Sequence, residues 1–282
     1  MHELVERAKF SDLDDHSCSD GAVTTPREII VLEIYVINLK RATDRWQNIN
    51  RQMKSLGSAV TRFEAVDGRE GHHPLFNRYD DRLRRRWKGN SLSVGQLGCF
   101  ASHYLLWQKC MNEQRPFIIL EDDAVVEPSL FQGFMDDVRS LDASFECIRL
   151  FRNHAKHHRA IDICEMGRLK IVKYTKGPMR GTGYYLTPAG AKKFLDCADT
   201  WFLPVDITMD RFWENRVECF GVQPPTVEND PTFESTIGYE NKTQARKLRV
   251  RILREMFSLR EQLFRAFANL RFAVRSFLFK HC

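Results

Sequence analysis

Apolar runs and stretches of 3.6-residue periodicity alternate along the chain, which predicts strands that alternate with helices. This order favours an α/β fold with a doubly wound, mostly parallel sheet. Ser93 and Gln96 form a capping-box pattern that predicts the start of one helix. Strands are predicted at 34–39, 61–66, 117–120, 147–151 and 184–187, and helices at 43–56, 95–111, 129–141, 188–198 and 206–217.

The two ends of the chain differ in character from the segment between them. Residues 1–28 lack apolar periodicity and are predicted to form a flexible arm. Residues 29–241 are predicted to form one α/β domain, and 242–282 a helical tail. Within the domain, the basic segment 82–88 is interpreted as a solvated charged loop, with a mobile lid as the alternative.

The tail carries an apolar stripe at helical spacing, so it is predicted to be an amphipathic helix. Arg271 and Arg275 flank the stripe, which favours binding to an anionic membrane surface. The alternative is a helix that packs on the α/β domain or on a second subunit. The stripe consists of Leu248, Ile252, Met256, Leu259, Leu263, Phe267, Leu270, Val274 and Phe277.

The net charge of +6 arises in the tail. Residues 242–282 contain 11 Lys and Arg against two Glu, so the tail has a net charge of +9 and the first 241 residues have −3. A nucleic-acid-binding function of the whole protein therefore loses its main support, and we expect no nucleic-acid partner.

The eight cysteines form no CxxC pair, and several lie in apolar segments, where a reduced thiol packs as a small hydrophobic group. This pattern favours a reducing compartment. The first thirty residues lack the apolar core of a signal peptide, and no window reaches the roughly 18 apolar residues of a membrane span. We therefore expect a cytoplasmic protein that reaches a membrane only peripherally.

The segment FIILEDDA at 117–124 carries the clearest candidate chemistry, because an apolar run leads directly into three carboxylates. Residues i and i+2 of a strand face the same side, so Glu121 and Asp123 are predicted to converge on one cation while Asp122 points elsewhere. Hard oxygen ligands suit Mn²⁺ or Mg²⁺. The alternative is a structural turn or a helix-capping cluster.

Five segments, in this order, resemble glycosyltransferase family 25, the sugar transferases of lipopolysaccharide synthesis that include bacterial β-galactosyltransferases. The resemblance covers about 34–238. It implies a GT-A type fold, a nucleotide-sugar donor, a divalent cation and transfer with inversion at the anomeric carbon. The segments are IYVINLKRATDR at 34–45, GQLGCFASH at 95–103, ILEDDA at 119–124, RGTGYYLTPAGAKKFL at 180–195 and PVDITMD at 204–210.

The same resemblance suggests where the donor binds. It assigns the end of the first strand to the nucleotide half of the donor. Arg41 and Arg45 are the better candidates for bidentate phosphate contacts there, although they are equally typical of solvated first-turn residues. The other candidates for the donor pocket are Asn38 beside the nucleotide, Ser102 and His103 in the GxxGCxxSH pattern, Glu121 near the ribose or a metal-bound water, and Gly181 and Thr182 beside the sugar.

An inverting transfer needs a carboxylate that removes the proton of the acceptor hydroxyl. Asp206 and Asp210 are spaced i,i+4 and lie on one helix face. Asp206, in the PVD motif, is the predicted base and Asp210 is the reserve. The alternative is an N-cap at Asp206 with Asp210 on the surface.

Two further groups are weaker candidates. His154, His157 and His158 are interpreted as a polar loop, because no Cys or His partner lies at metal-ligand spacing. The acidic stretch 228–230 is a candidate for completing the metal site.

The sequence thus predicts a metal-dependent glycosyltransferase that moves galactose from UDP-galactose to a lipid-linked oligosaccharide of lipopolysaccharide or lipooligosaccharide. We expect it on the cytoplasmic face of a bacterial inner membrane. One alternative is a Mg²⁺-dependent nucleotidyl transferase, although no Gly-rich GKS loop is present. The other is an inactive membrane-bound interaction protein.

Overall fold

A computed structural model describes residues 32–152, 159–230, 232–233 and 248–280. The predicted arm and the histidines of segment 153–158 lie outside the described residues. In chain order the helices and strands are β1 (Glu33–Asn38), α1 (Thr43–Ser55), β2 (Thr61–Glu64), α2 (Asp81–Lys88), α3 (Val94–Glu113), β3 (Phe117–Glu121), β4 (Ala124–Val126), α4 (Pro128–Asp137), β5 (Cys147–Arg149), β6 (Ala160–Met166), β7 (Leu169–Tyr174), β8 (Gly183–Leu186), α5 (Pro188–Cys197), α6 (Val205–Met209), α7 (Phe212–Asn215), β9 (Phe220–Gln223), β10 (Val227–Asn229) and α8 (Leu248–Lys280).

Eight of these strands form one sheet in the order β2-β1-β3-β8-β5-β9-β7-β6. The α/β class is confirmed, but the sheet is mixed. Strands β2, β1 and β3 run parallel, as do β5 and β9, whereas β8 runs antiparallel to both of its neighbours. The β6–β7 hairpin adds an antiparallel edge. Short β4 and β10 pair in a separate two-stranded sheet.

Helices cover both faces of the sheet because successive residues of β3 point to opposite sides. Ile119 packs in one apolar cluster with Trp107 of α3 and Phe194 of α5. Ile118 packs in a second cluster with Ile49 of α1 and Phe131 of α4. The apolar run before the acid triplet is therefore buried on both faces, which fixes the point where the acids emerge.

Helix α3 confirms the predicted capping box. Ser93 Oγ accepts a hydrogen bond from Gln96 N–H at 3.2 Å, and Gln96 Oε1 accepts one from Ser93 N–H at 3.0 Å. The helix packs on one face of the sheet and brings His103 to the carboxyl end of β3, with Ser102 beside it. The cap thus fixes the start of the helix that positions two candidate site residues.

Segment 82–88 is a helix, so the prediction of a charged loop is wrong. Asp80 caps α2 by accepting the Leu83 N–H at 2.8 Å, and Gly89 ends the helix in the left-handed conformation. Trp87 lies 5.5 Å from Phe257 of α8, measured between ring centroids. The helix was not recognised in the sequence because Leu and Trp are the only apolar residues that mark its buried face.

The tail contains a 33-residue helix, α8, that packs on the domain through one face. Phe257 is buried, Arg211 forms a two-point ion pair with Glu261 at 2.8 and 3.0 Å, and Asn269 donates to the Thr175 carbonyl at 2.9 Å. The predicted apolar stripe lies on the opposite face and is exposed, for example by 63% at Leu263 and 67% at Phe267. Among the described helices, none combines the length and apolar character needed to cross a bilayer.

Candidate active site

The acid triplet emerges at the carboxyl ends of two neighbouring parallel strands. Ile37 of β1 pairs with Glu121 of β3, so the residues that follow, Asn38 and Asp122, are neighbours. Open α/β sheets bind ligands at this edge. Strand β3 ends at Glu121, and Asp122 and Asp123 form a turn into β4. The prediction that Glu121 and Asp123 face the same side because both lie in one strand is therefore wrong. Asp123 lies in the turn, and the turn sets the direction of its side chain.

Asp122 binds the elements beside it rather than facing the site. Its carboxylate accepts from Asn38 Nδ2 at 2.6 Å and from Arg45 Nη1 at 3.1 Å. Asn38 is fully buried, and its Oδ1 accepts from Arg62 Nε at 2.8 Å. Both side chains thus hold the triplet against β1 and α1, and this geometry favours a supporting role for Asn38 over direct contact with a nucleotide.

The two arginines predicted for the phosphates differ in their surroundings. Arg41 is exposed and forms an ion pair with Asp67 after β2. Arg45 is buried, and its guanidinium also lies 4.9 Å from the ring centroid of Phe233. Arg45 therefore adds positive charge directly behind the acid triplet, whereas Arg41 is free to exchange its surface partner for a ligand at little cost.

Asp123 has the environment of a cation ligand. Its Oδ2 accepts from Asn229 Nδ2 at 3.1 Å, while its buried Oδ1 has no hydrogen-bond partner among the described residues. Burial, together with the carboxylates of Glu121 and Asp122, raises the pKa of Asp123 to about 7. Repulsion between converging carboxylates disfavours ionisation, and a bound cation would relieve it. These residues therefore fit a hard divalent ion.

Glu121 and His103 form the next part of the site. Glu121 Oε1 lies 3.3 Å from His103 Nε2, and His103 Nδ1 lies 2.9 Å from the Tyr184 hydroxyl. Trp107 Nε1 donates to the same hydroxyl at 2.9 Å. The network is satisfied when Tyr184 donates to Nδ1 and the Nε2–H of His103 donates to Glu121. This arrangement orients Glu121 without using its second oxygen.

Cys99 lies beside this pair, and potential ligand atoms of Cys99, His103 and Glu121 lie within 4.8 Å of one another. Burial raises the pKa of the Cys99 thiol well above its usual value, and Glu121, Asp206 and Asp123 raise it further. The thiol is thus held protonated, and the carboxylates suit Mn²⁺ or Mg²⁺ better than a sulfur ligand does.

Gly181 and Thr182 close the site from β8. A Cβ atom at Gly181 would lie 2.9 Å from both Glu121 Oε1 and His103 Nε2, so only glycine permits this close approach. Thr182 accepts the Glu121 N–H through its carbonyl at 2.9 Å and donates its hydroxyl to Asn229 Oδ1 at 3.0 Å. Asn229 therefore links Thr182 to Asp123.

Ser102 is fully buried and joins α3 to the loop after β2. Its hydroxyl donates to the Gly98 carbonyl at 2.8 Å and accepts the Val66 N–H at 2.9 Å. The hydroxyl thus both donates and accepts a hydrogen bond within the protein. The structure thus places Ser102 in the support of the site, one residue away from His103.

Asp206 and Asp210 support one loop but differ in exposure. The backbone N–H groups of Met179 and Arg180, both with positive φ, donate to Asp210 at 2.8 Å and to Asp206 at 3.1 Å. Asp206 is half-buried, whereas Asp210 is buried and pairs with Arg149 at 2.7 Å. Two adjacent left-handed residues that are not glycine are costly, so this loop is held by the two carboxylates.

Several residues that complete the site were not among the sequence candidates. Arg149 neutralises Asp210, Tyr184 orients His103, and Cys99 packs beside Glu121. Arg149 and Tyr184 lie on β5 and β8, and nothing in the linear sequence links them to their partners. The GCxxSH spacing did contain the signal for Cys99, because Cys99 and His103 are one helical turn apart.

The sequence model described as "Glycosyltransferase family 25 (LPS biosynthesis protein)" matches residues 31–209, more than half of the chain. The chain belongs to glycosyltransferase family 25. The resemblance of the five motifs is thereby confirmed. The matched segment contains the candidate site from Asn38 to Asp206, whereas α8 lies outside it.

Curated relatives carry the same family name. The chain is 29% identical over 182 residues to a "Glycosyltransferase 25 family member" of Aedes aegypti, covering 59% of this chain and 28% of that protein. It is 28% identical to the Anopheles gambiae protein of that name, with 65% and 32% covered. The human "Inactive glycosyltransferase 25 family member 3" is 26% identical, with 71% and 37% covered. The chain therefore matches about a third of the length of these relatives.

Proposed function

We propose that the chain transfers a sugar from a nucleotide-sugar donor to a glycan hydroxyl, with a divalent cation and inversion at the anomeric carbon. The observation that carries this proposal is the buried Oδ1 of Asp123, which has no hydrogen-bond partner among the described residues and lies in the turn that follows Glu121 and β3. Family membership supports the reaction class. Intact Glu121, Asp123 and Asp206 favour an active protein, although relatives include some that are named inactive.

In this reaction Asp123 and Glu121 would hold Mn²⁺ or Mg²⁺. The ion would neutralise the diphosphate and make it a better leaving group. Asn229 fixes Asp123, and His103 fixes Glu121. Arg45 and Asn38 hold the turn through Asp122, so the two metal ligands are positioned before the donor binds.

Asp206 is the proposed base. The Arg180 N–H fixes one oxygen of its carboxylate, and α6 holds the residue half-exposed at the site. Asp210 pairs with Arg149 and is placed to hold the loop that carries Arg180. We therefore assign proton removal from the acceptor hydroxyl to Asp206 and a positioning role to Asp210.

We further propose UDP-galactose as donor and a lipopolysaccharide-type glycan as acceptor, because the family is described as LPS biosynthesis proteins and because of the motif resemblance. Measuring UDP release from a panel of UDP-sugars, with and without Mn²⁺, tests the proposal. Release that needs both Mn²⁺ and an acceptor glycan is the expected result. Release of the sugar 1-phosphate, with UMP carried to the acceptor, would instead indicate the nucleotidyl transferase, and no turnover with any donor would indicate an inactive family member.

Binding of Mn²⁺ is expected to raise the melting temperature more at pH 8 than at pH 5. Protons compete with the ion for Asp123, whose pKa is raised to about 7. A group with a raised folded-state pKa stabilises the fold at low pH, and this contribution is lost as the pH rises through about 7. Stability without metal should therefore fall over this range, and Mn²⁺ should reverse the loss.

Differential scanning fluorimetry of the wild type and Asp123→Asn, in chelator and in Mn²⁺ from pH 5 to pH 8, measures both effects. The Asn variant should lose the Mn²⁺-dependent shift and the pH-dependent loss together. A wild-type Mn²⁺ shift that is equal at both pH values would speak against Asp123 as the ligand that titrates.

We propose that the exposed stripe of α8 lies on an anionic membrane surface. The inner face of α8 is already occupied by the domain, so the exposed face is not needed to hold the helix in place. The exposed residues Arg249, Arg260 and Arg271 follow one edge of the stripe. Near-surface cations contribute about 1 kcal/mol each on an acidic leaflet.

Replacing Leu263, Phe267 and Leu270 together by serine is expected to weaken binding to anionic vesicles at least about 10-fold, because the apolar contacts are lost. The melting temperature should stay close to that of the wild type, since these side chains are exposed. Vesicle sedimentation at two salt concentrations measures binding, with Val94→Ser and Ile161→Ser, also exposed, as the matched control. A concentration-dependent dimer that the triple variant abolishes would instead assign the stripe to a second copy.

A further inference from the structure

A cavity of about 230 Å³ lies between the inner face of α8 and the loop that the two aspartates hold. Asp210 and Met179 line it, and Asp206 lies one helical turn before Asp210 on α6. The cavity is smaller than the roughly 300–1,000 Å³ of most ligand pockets, so it suits one chemical group rather than a whole glycan. It is thus a subsite next to the proposed base.

Four cations line this cavity against two carboxylates. The carboxylates have partners of their own, because Asp210 pairs with Arg149, and Glu261 pairs with Arg211 at 2.8 and 3.0 Å. The cations of the wall are Lys88, Lys176, Arg211 and Arg265. The wall therefore keeps an excess of positive charge after its internal ion pairs are counted.

Lys88, Lys176 and Arg265 form no ion pair within 4.0 Å among the residues that the structure describes, although Glu261 attracts the Lys88 ammonium from a greater distance. Lys88 is half-buried, and its ammonium lies 4.0 Å from the ring centroid of Phe257. Burial, together with the nearby Arg84 and Arg211, lowers the pKa of Lys88 to about 8, against the opposing attraction of Glu261. An anion in the cavity would add negative charge beside this ammonium.

We propose that this cavity binds an anionic group of the acceptor, a phosphate, sulfate or carboxylate carried close to the hydroxyl that receives the sugar. The inference rests on the proposed function, because it places the acceptor on the side of Asp206. The donor diphosphate belongs to the carboxyl end of β3, where Asp123 and Arg45 lie.

The helix α8 supplies part of the wall of this subsite. The residues that α8 contributes to the wall lie beyond the segment matched by the family model, which ends at 209. They include Phe257, Glu261 and Arg265. The packing face of α8 thus helps to select the acceptor, while the chemistry stays within the matched segment.

Equilibrium dialysis with labelled inorganic sulfate, in chelator, tests the site without relying on turnover. We expect saturable binding of one sulfate per chain that weakens about 10-fold or more in Lys88→Met/Arg265→Met, since charge-assisted contacts are lost. Arg260→Met, on the same helix but exposed and outside the cavity, should bind as the wild type does. Lys176→Met, at an exposed position, gives a second variant that keeps the fold.

Three results would overturn the proposal. These are no saturable sulfate binding, equal binding by all variants, and displacement of sulfate by UDP in chelator, which would assign the anion site to the donor. If sulfate binds as expected but no UDP-sugar is ever consumed, the proposed glycosyl transfer fails while the anion site stands.

The transfer assay then assigns the site to the acceptor. Compared with the wild type, Lys88→Met/Arg265→Met should have a KM about 10-fold higher for a phosphorylated acceptor such as glucose 6-phosphate. Its KM for glucose, which carries no anionic group, should not change. Its KM for the UDP-sugar should stay within about 2-fold of the wild type. An equal change for both acceptors would overturn the assignment of the anionic group to the acceptor.

Discussion

Replacing Asp123 by asparagine is expected to lower the rate of sugar transfer by about 10³-fold while the protein stays folded. The proposed cation would stabilise the charge of the leaving diphosphate by several kcal/mol, and each 1.36 kcal/mol is worth a factor of ten in rate. An amide keeps one acceptor oxygen for Asn229 Nδ2 but removes the charge that holds the ion. The measurement is the transfer rate at saturating UDP-sugar and Mn²⁺.

Stability distinguishes this effect from misfolding. The buried Asp123 carboxylate lies near two others, and its raised pKa means that ionisation costs stability above about pH 7. In chelator at pH 8, Asp123→Asn should therefore melt at the wild-type temperature or above it. Asp136→Asn, at a surface carboxylate of α4, is the matched control. Wild-type transfer by Asp123→Asn, or full wild-type activity in excess chelator, would contradict the metal site.

The sequence was sufficient for the parts of the site that depend on local patterns. The apolar run 117–120 predicted a buried strand, and a buried strand must end where its polar residues begin. Ser93 and Gln96 predicted the start of α3, which places His103 beside Glu121. Such patterns involve residues within one or two turns of each other, so they are visible in a single sequence.

Elements with a polar exposed face were harder to predict. Helix α2 was missed because its basic residues resemble a loop, and its partner Phe257 lies far along the chain. The β6–β7 hairpin was missed because β6 is largely exposed and carries polar residues. Strand β7 pairs antiparallel with β9, and β8 pairs antiparallel with β3 and β5, so the expected parallel sheet is a mixed one.

Partners across long sequence distances account for the remaining differences. Asp122 is hydrogen-bonded by Asn38 and Arg45, and Asp210 forms an ion pair with Arg149. These contacts depend on which strands become neighbours in the fold. The sequence indicated which residues carry charge. It did not indicate which charges are neutralised within the fold, and that distinction separates Asp206 from Asp210.

Asp206→Asn is expected to lower the transfer rate by about 10²-fold or more, the usual contribution of a general base. Asp206 accepts the Arg180 N–H through one oxygen and the Ile207 N–H through the other, and the amide oxygen can still accept the Arg180 N–H. The loop and the KM for the UDP-sugar should therefore change little. The fall should appear in kcat, because the carboxylate acts only as the acceptor hydroxyl attacks. Steady-state kinetics with the donor and the acceptor varied in turn, together with the melting temperature, measure these effects.

Asp210→Asn separates the two assignments. Removing the negative partner of buried Arg149 leaves an unpaired charge in the interior, which costs about 3–5 kcal/mol of folding stability. This variant should therefore melt lower, and the transfer it loses should follow from displacement of the loop at Met179 and Arg180. Asp199→Asn, at an exposed carboxylate, is the control. If Asp206→Asn keeps near-normal turnover while Asp210→Asn loses it with an unchanged melting temperature, Asp210 is the base and Asp206 supports the loop.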